Sequence, residues 1–164
     1  MTMKQTANKI FTQFKQSWRH YILQSLLATL AIFATLLFLN INERPIIIAS
    51  IGATTFIVFA MPKNVTAQAK NVIGGHLAGF FSGSLFSLIS SSCVFDFALL
   101  CALAVGFSLF IMVSLNIEHP PAAGTALAIA VGGFSMDALI AVTSSAVILA
   151  LARELLDPAL RDLI

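Results

Sequence analysis

Two histidines and a glutamate, in a sequence that is largely apolar, are candidates for binding an anion or exchanging a proton. His119 follows Glu118 directly and precedes two prolines, whereas His76 lies in a glycine-rich segment. Inside a membrane, a histidine can hydrogen-bond an anion and can exchange a proton near neutral pH. Glu118 is a candidate for proton coupling, or an ordinary charge at headgroup level. The alternative for His119 is a helix cap at the membrane surface, and for His76 it is a residue that only packs.

Hydroxyl and amide side chains elsewhere in the chain would complete an anion site. Thr54, Thr55 and Thr125 offer O–H donors, although threonines in membrane helices more commonly bond to their own helix or to a neighbour. Asn71 stands where an anion entering from the cytoplasm would meet it. Together with the histidines, these residues predict a hydrogen-bonding path for a small anion.

Prolines and glycines predict how the backbone holds this path. Pro120 and Pro121 lack an N–H and have a fixed φ that suits the first helical turn, so a helix should begin there. The positive end of its dipole would then lie beside His119, and a helix start at membrane depth favours an anion. Gly52 and Gly124 would let two short helices, or a helix and a ligand, approach closely, or would serve packing alone.

The hydropathy of the chain indicates that these residues lie in membrane helices. Its 164 residues are 59% hydrophobic and only 10% charged, with a mean hydropathy of +0.95, which excludes an ordinary soluble domain. Apolar runs bounded by Gly, Pro and polar residues predict an all-α integral membrane protein. Its six elements are expected at about 21–39, 45–61, 71–90, 95–115, 120–133 and 137–152.

Residues 1–20 are basic and amphipathic, and they predict an interfacial helix ahead of a single transmembrane domain at 21–164. Four cations, Lys4, Lys9, Lys15 and Arg19, precede the first hydrophobic run. That placement is typical of a cytoplasmic membrane anchor and not of a nucleic-acid site. We therefore expect a protein of the bacterial inner (plasma) membrane, with its N-terminus in the cytoplasm and the lipid bilayer around it.

The six elements repeat in the order long, short, long. Gly52 and Gly124 take corresponding places in the short elements, 72 residues apart. A pair of short segments interrupted by Gly and Pro indicates a transporter binding site. The basic residues favour six membrane crossings and inverted halves, because Arg44 is then the only one of them on the non-cytoplasmic side. The length of the second short element favours four crossings, because its rise of about 21 Å is less than the thickness of a membrane. We predict a helical bundle of two inverted three-element repeats whose short helices meet near the midplane.

Enzymatic and metal-binding motifs are missing from the sequence. The three histidines are far apart, no HxxxH or paired-carboxylate motif occurs, and Cys93 and Cys101 are expected to pack. We expect no enzyme activity, no metal and no cofactor. The glycines at 75, 79 and 83 predict one helix face for close packing, which serves oligomerisation as readily as a path. A homo-oligomer, dimer or trimer, is expected.

Two stretches resemble a known family. The run EHPPAAGTALA, from Glu118 to Ala128, resembles the signature of the HPP family of small integral membrane proteins. The stretch from Gly52 through Pro62 to His76 is similar to the other block of that family. The chain reads HPPAAGT where the family more usually reads HPPAGAT, and it has Glu118 where a neutral residue is expected. Family members with a known role resemble nitrite transporters of photosynthetic organisms, so the resemblance implies anion transport more firmly than any particular anion.

The function predicted from the sequence is a membrane transporter or channel for a small monovalent anion, nitrite-like. Its site is expected at the starts of the short helices, near the EHPPAAGT motif. Two alternatives stay open: a proton-coupled carrier of another small solute, and a non-transporting membrane assembly subunit.

Overall fold

A computed structural model describes residues 3–38, 45–91 and 93–163 of the chain, and these residues form six α-helices and no strand. The helices are α1 (Met3–Phe38), α2 (Pro45–Ala60), α3 (Ala69–Ser87), α4 (Val94–Ser114), α5 (Pro121–Gly132) and α6 (Met136–Leu156). Two short 3-10 helices, Val65–Ala67 and Asp157–Ala159, follow α2 and α6. The all-α class predicted from the sequence is confirmed.

The first helix is continuous over 36 residues, so the interfacial part predicted at 1–20 and the span predicted from residue 21 belong to one helix. Neither Gly nor Pro occurs between Met3 and Phe38. Because nothing interrupts the backbone hydrogen bonds, the polar beginning simply extends the apolar span.

The long and short elements have the predicted order. Three helical stretches are long and apolar enough to cross a membrane: Ser17–Leu37, Val94–Ser114 and Met136–Ala159. α2 and α5 are shorter, with 16 and 12 residues, and rise only about 24 and 18 Å. The third helix has 19 residues and includes polar side chains on its buried face.

Contacts at one end of the bundle give the direction of the helices. Gln24, near the beginning of the apolar part of α1, donates to the carbonyl of Phe59 at the end of α2. Arg153, near the end of α6, donates to the carbonyl of Pro62, between α2 and α3. The ends of α2 and α6 therefore lie together, beside the first half of α1 and the start of α3.

The start of α5 lies at this same end of the bundle. Asn71, in the first turn of α3, donates to the carbonyl of Glu118 just before α5, and Lys70 reaches the carbonyl of Asn116 just after α4. The chain direction thus alternates from each helix to the next, and α4–α6 run opposite to α1–α3. The predicted inversion of the two halves is present in the helix directions.

Packing between helices follows the same repeat. Exchanging α1 with α4, α2 with α5 and α3 with α6 converts each principal helix pair into an observed pair, for example α3–α5 into α6–α2, and leaves α2–α5 and α3–α6 unchanged. α3 and α5 pack most closely and run parallel. A Cβ added at Gly75 would lie 2.6 Å from the His119 Cβ, and one at Gly83 would lie 2.7 Å from the Ile129 Cβ. The predicted glycine face therefore packs inside the bundle, against α5.

The segment after α6 folds back over the end of α2. The Leu163 N–H donates to the Ala60 carbonyl, and Tyr21 Oη donates to the Leu163 carbonyl. Gln24 bonds both the N–H and the carbonyl of Arg161. These contacts hold the first half of α1, the end of α2 and residues 160–163 together.

Candidate functional site

A buried chain of five polar side chains lies between α2, α3 and the start of α5, and we call it the histidine network. Its centre is Thr54 Oγ1, which lies 2.8 Å from His76 Nε2 and 3.0 Å from His119 Nε2. The two imidazole rings are 5.1 Å apart between centroids and tilted by 56°. One hydroxyl group therefore connects two histidines that are 43 positions apart in the sequence.

On the side of His76, the histidine network continues through two more hydroxyl groups. His76 Nδ1 lies 2.8 Å from Thr125 Oγ1, which lies 2.9 Å from Ser50 Oγ. Ser50 Oγ donates to the carbonyl of Pro121 at 2.6 Å. This end of the network therefore finishes at a backbone acceptor in the first turn of α5.

On the side of His119, the network finishes at another backbone acceptor. His119 Nδ1 lies 2.8 Å from the carbonyl oxygen of Thr66, in the short helix Val65–Ala67. Asn64 caps that helix, because its Oδ1 accepts from the Thr66 N–H at 3.0 Å. The cap fixes the turn that presents the carbonyl to the imidazole.

All five side chains are shielded from solvent. Thr54, His119 and Thr125 are 0% exposed, His76 is 2% and Ser50 is 5% exposed. A buried polar group without a hydrogen bond is strongly disfavoured, so these side chains depend on one another. Both ring nitrogens of His119 contact groups within the bundle, Thr54 Oγ1 and the Thr66 carbonyl oxygen.

The antiparallel arrangement of α2 and α5 aligns the partners. Ser50 and Thr54 are four residues apart and so lie on the same face of α2. Ser50 lies opposite Thr125, and Thr54 opposite His119, so residue numbers fall along one element as they rise along the other. An added Cβ at Gly124 would lie 3.3 Å from the Ser50 Cβ, which shows why a small residue stands there.

The starts of the two short helices do not meet, in contrast to the prediction. Inverted halves make α2 and α5 antiparallel, so the start of α5 lies against the middle of α2. As predicted, prolines begin α5, with Pro120 in its cap position and Pro121 in the first turn. The N–H groups of Ala122 and Ala123 already donate to the carbonyls of His119 and Pro120. The donors available to an anion are therefore side-chain N–H and O–H groups.

Several other predicted residues lie outside the histidine network. Thr55 donates to the carbonyl of Ile51 in its own helix. Gly52 is exposed and has open space where a Cβ would be, so the close approach occurs at Gly124 and not there. Glu118 is partly exposed and contributes its backbone carbonyl to Asn71, as described above.

Asn71 lies one helical turn before the glycine face. It is 0% exposed, and its Oδ1 finds no hydrogen-bond donor among the described residues. Its Nδ2 ties α3 to the segment just before His119. The residue thus positions the His119 segment against α3.

Sequence reasoning missed Ser50 and the Thr66 carbonyl. Ser50 could have been found, because it is a polar residue one helical turn before Thr54 in an apolar run. A backbone carbonyl has no signature in the side-chain sequence. Only the fold, which places the 64–67 turn against the loop before α5, identifies it.

An apolar groove of about 400 Å³ lies beside the histidine network. Its lining consists of Ala53, Phe56, Ile57, Pro120 and Pro121, which are neighbours of the network residues in sequence. No group of three or more metal-ligating side chains occurs within the described ranges.

These features define an integral membrane protein of the helical class, with polar side chains buried between short and long helices. The chain belongs to the HPP family: residues 13–157 match the family described as HPP, transmembrane region. This match covers both resembling stretches, so the family suggested by the EHPPAAGT motif is confirmed.

Two transmembrane proteins of Dictyostelium discoideum are similar to part of the chain. One is 34% identical over 90 residues, which cover 55% of this chain and 32% of that protein. The other is 31% identical over 88 residues, covering 52% of this chain and 28% of that protein. The match thus spans about a third of the length of each relative. No solved structure has significant similarity to the chain.

Proposed function

We propose that this protein transports a small monovalent anion, nitrite-like, and that the histidine network is where the anion binds. The observation that carries the proposal is the pair of buried histidines, one in α3 and one just before α5, bridged by Thr54 of α2. Imidazole N–H and threonine O–H groups are donors that can replace part of the hydration shell of an anion. Supporting this choice, α2 and α5 contain no charged side chain that would repel or neutralise an anion.

The neutral and closely packed side chains of the histidine network favour an anion that is small and carries a single charge. Removing charge from water is costly, and a divalent anion would need more compensation than neutral donors supply. The network side chains contact one another directly at 2.8–3.0 Å. An anion can therefore enter only when the helices separate slightly, and a small one requires the least separation.

The direction of the helices supports a carrier. In transporters built from inverted repeats, one group of helices rocks against the other around a fixed site. Here α3 and α5 are closely packed through glycines, whereas α2 meets α5 through hydroxyl groups and the small Gly124. We propose that movement between α2 and the α3–α5 pair opens the histidine network to each side in turn.

The orientation and assembly also belong to this proposal. Basic residues near the end of the bundle that holds the α5 start, among them Lys63, Lys70 and Arg153, favour a cytoplasmic location for that end. The N-terminus would then be cytoplasmic, in a bacterial inner membrane. A homo-oligomer, dimer or trimer, would widen a bundle of only six elements.

Flux measurements in proteoliposomes test the function. We expect nitrite uptake above that of protein-free liposomes, and a loss of at least tenfold in His119→Ala and Thr54→Val. Thr35→Val is the matched control, because Thr35 is also buried but bonds only to Ala31 in its own helix. Folded protein without accelerated flux of nitrite, nitrate or chloride would reject the proposal and favour the assembly subunit.

A further inference from the structure

The hydrogens of the histidine network can be counted from one backbone acceptor to the other. Six contacts of 2.6–3.0 Å connect the Thr66 carbonyl to the Pro121 carbonyl, through two imidazoles and three hydroxyl groups. Thr54 Oγ1 also lies 3.1 Å from the Ser50 carbonyl in its own helix, and this longer contact competes for the same hydrogen. Each of the six contacts needs one hydrogen, whereas a neutral imidazole carries one N–H and a hydroxyl one O–H, so the five side chains together supply five hydrogens. The six contacts are one hydrogen short when both histidines are neutral, and two short if Thr54 donates to the Ser50 carbonyl instead.

No choice of tautomers removes this shortage, because both ends of the chain are carbonyl acceptors. His119 Nδ1–H then donates to the Thr66 carbonyl, and the Ser50 hydroxyl donates to the Pro121 carbonyl. Three hydrogens remain for the four contacts between these two ends, so in one of the four contacts two lone pairs face each other without a hydrogen. The six contact distances are 2.6–3.0 Å, so each of them is a hydrogen-bonding distance. An unmade hydrogen bond between buried polar groups is costly.

One added proton supplies the missing hydrogen for the six contacts between the Thr66 and Pro121 carbonyls, with the Thr54 hydrogen directed to an imidazole and not to the Ser50 carbonyl. With His119 as imidazolium, its Nε2–H donates to Thr54, and Thr54 donates to His76 Nε2. With His76 as imidazolium instead, its Nε2–H donates to Thr54, and Thr54 donates to His119 Nε2. The remaining contacts are the same in both cases. The proton thus passes between the rings when the Thr54 hydroxyl takes a hydrogen from one imidazole and gives its own to the other.

The charged groups around the histidine network do not compensate a buried cation. α2 and α5 carry no titratable side chain, and α3 adds only Lys70 at its exposed start. Lys63 in the 61–68 segment is paired with Asp157, and the Glu118 side chain is partly exposed. On the helices packed behind α3, the charged groups are Asp96 of α4 and Asp137, Arg153 and Glu154 of α6. A buried imidazolium therefore lacks a counterion unless an anion enters.

We propose that the histidine network takes up one proton together with each monovalent anion, so that transport is an electroneutral proton–anion symport. This rests on the proposed function. An N–H bond forms on one imidazole as the anion binds, and it breaks when proton and anion leave on the other side. The anion is unchanged, and one proton and one negative charge move together.

Proteoliposomes containing a pH-sensitive dye, with the membrane potential clamped by potassium and valinomycin, test the symport. After subtraction of protein-free liposomes, we expect nitrite uptake to acidify the lumen by one proton per anion and to be unaffected by the clamped voltage. Thr54→Val should reduce proton uptake at least tenfold, Thr54→Ser should retain it because the hydroxyl is kept, and Thr35→Val should match the parent. Voltage-driven nitrite flux without proton uptake would overturn the symport and leave the anion transport intact.

A binding measurement separates the two proposals further. In the folded full-length protein labelled with ¹⁵N-histidine, saturating nitrite should produce one imidazolium signal that is lost in His119→Gln. Two neutral rings at saturating nitrite would overturn the coupling. Absence of any nitrite-dependent signal together with absence of flux would overturn both proposals.

Discussion

Ser50 links the two short helices through a single side chain. Its hydroxyl donates to the Pro121 carbonyl and contacts Thr125 Oγ1, so one oxygen joins α2 to two positions of α5. Because Thr125 also contacts His76, the hydroxyl of Ser50 orients the next members of the histidine network. Its contribution should therefore be measurable as stability, apart from any role in transport.

Ser50→Ala is expected to destabilise the fold by about 1–3 kcal/mol, because it removes two buried contacts between α2 and α5. Ser145→Ala is the control. Ser145 is 1% exposed but donates only to the Ala141 carbonyl in its own helix, so its loss should cost about 0.5 kcal/mol or less. The free energy of unfolding in mixed detergent micelles measures both. Equal effects of the two substitutions would show that the contact between α2 and α5 adds no stability.

The sequence predicted individual residues of the site better than it predicted their arrangement. The sequence predicts His76 and His119 because ionisable residues are rare in membrane segments, and Thr54 and Thr125 because they offer hydroxyl groups on the short elements. The structure brings these four side chains together. Ser50 belongs to the histidine network and Thr55 does not, because only one face of α2 meets α5. This face is set by the antiparallel packing of segments about 70 residues apart, which local spacing does not encode.

At the scale of helices, the glycine face of α3 determines how closely α5 can approach. An added Cβ at Gly83 would lie 2.5 Å from the Ala126 carbonyl oxygen and 2.7 Å from the Ile129 Cβ. These are backbone and Cβ atoms, which cannot rotate away. The two helices would have to move apart.

Gly83→Ala is therefore expected to destabilise the protein by about 1–3 kcal/mol through overpacking. Gly106→Ala is the matched control, since Gly106 also lies inside a helix but has open space at the Cβ position. There, alanine should be neutral or stabilising by up to about 1 kcal/mol, as it is the better helix former. Thermal unfolding of both variants checks this, and a Gly83→Ala protein as stable as the parent would contradict the packing described here.

The helix boundaries show what sequence patterns predict well and poorly. Prolines and glycines placed the short helices to within one residue of Pro45–Ala60 and Pro121–Gly132, because these residues disrupt or start helices locally. Residue 20 lies inside the continuous helix α1, because polarity changes there without any backbone signal, and the division into an interfacial segment and a transmembrane domain stays a prediction. Composition changes alone do not end a helix.

At the scale of the whole molecule, the inverted halves meet at two different kinds of contact. α3 and α5 run parallel and are held by glycines against backbone atoms. α2 and α5 run antiparallel and are joined by hydroxyl groups and one small residue. The proposed transport cycle requires the second contact to open while the first persists.

Cross-linking distinguishes the two contacts. An added Cβ at Gly124 lies 3.3 Å from the Ser50 Cβ, and one at Gly74 lies 3.3 Å from the Ile117 Cβ, and both spacings are close to the separation of about 3.8 Å in a disulfide. In a background without Cys93 and Cys101, oxidation of the double variant Ser50→Cys/Gly124→Cys should form a disulfide between α2 and α5. This disulfide should reduce anion flux at least tenfold, and its reduction should restore the flux. The pair Gly74→Cys/Ile117→Cys should form a disulfide without loss of flux, because it joins α3 to the segment that leads into α5. Undiminished flux through the oxidised Ser50–Gly124 pair would mean that α2 does not move against α5, and that the anion passes by another route.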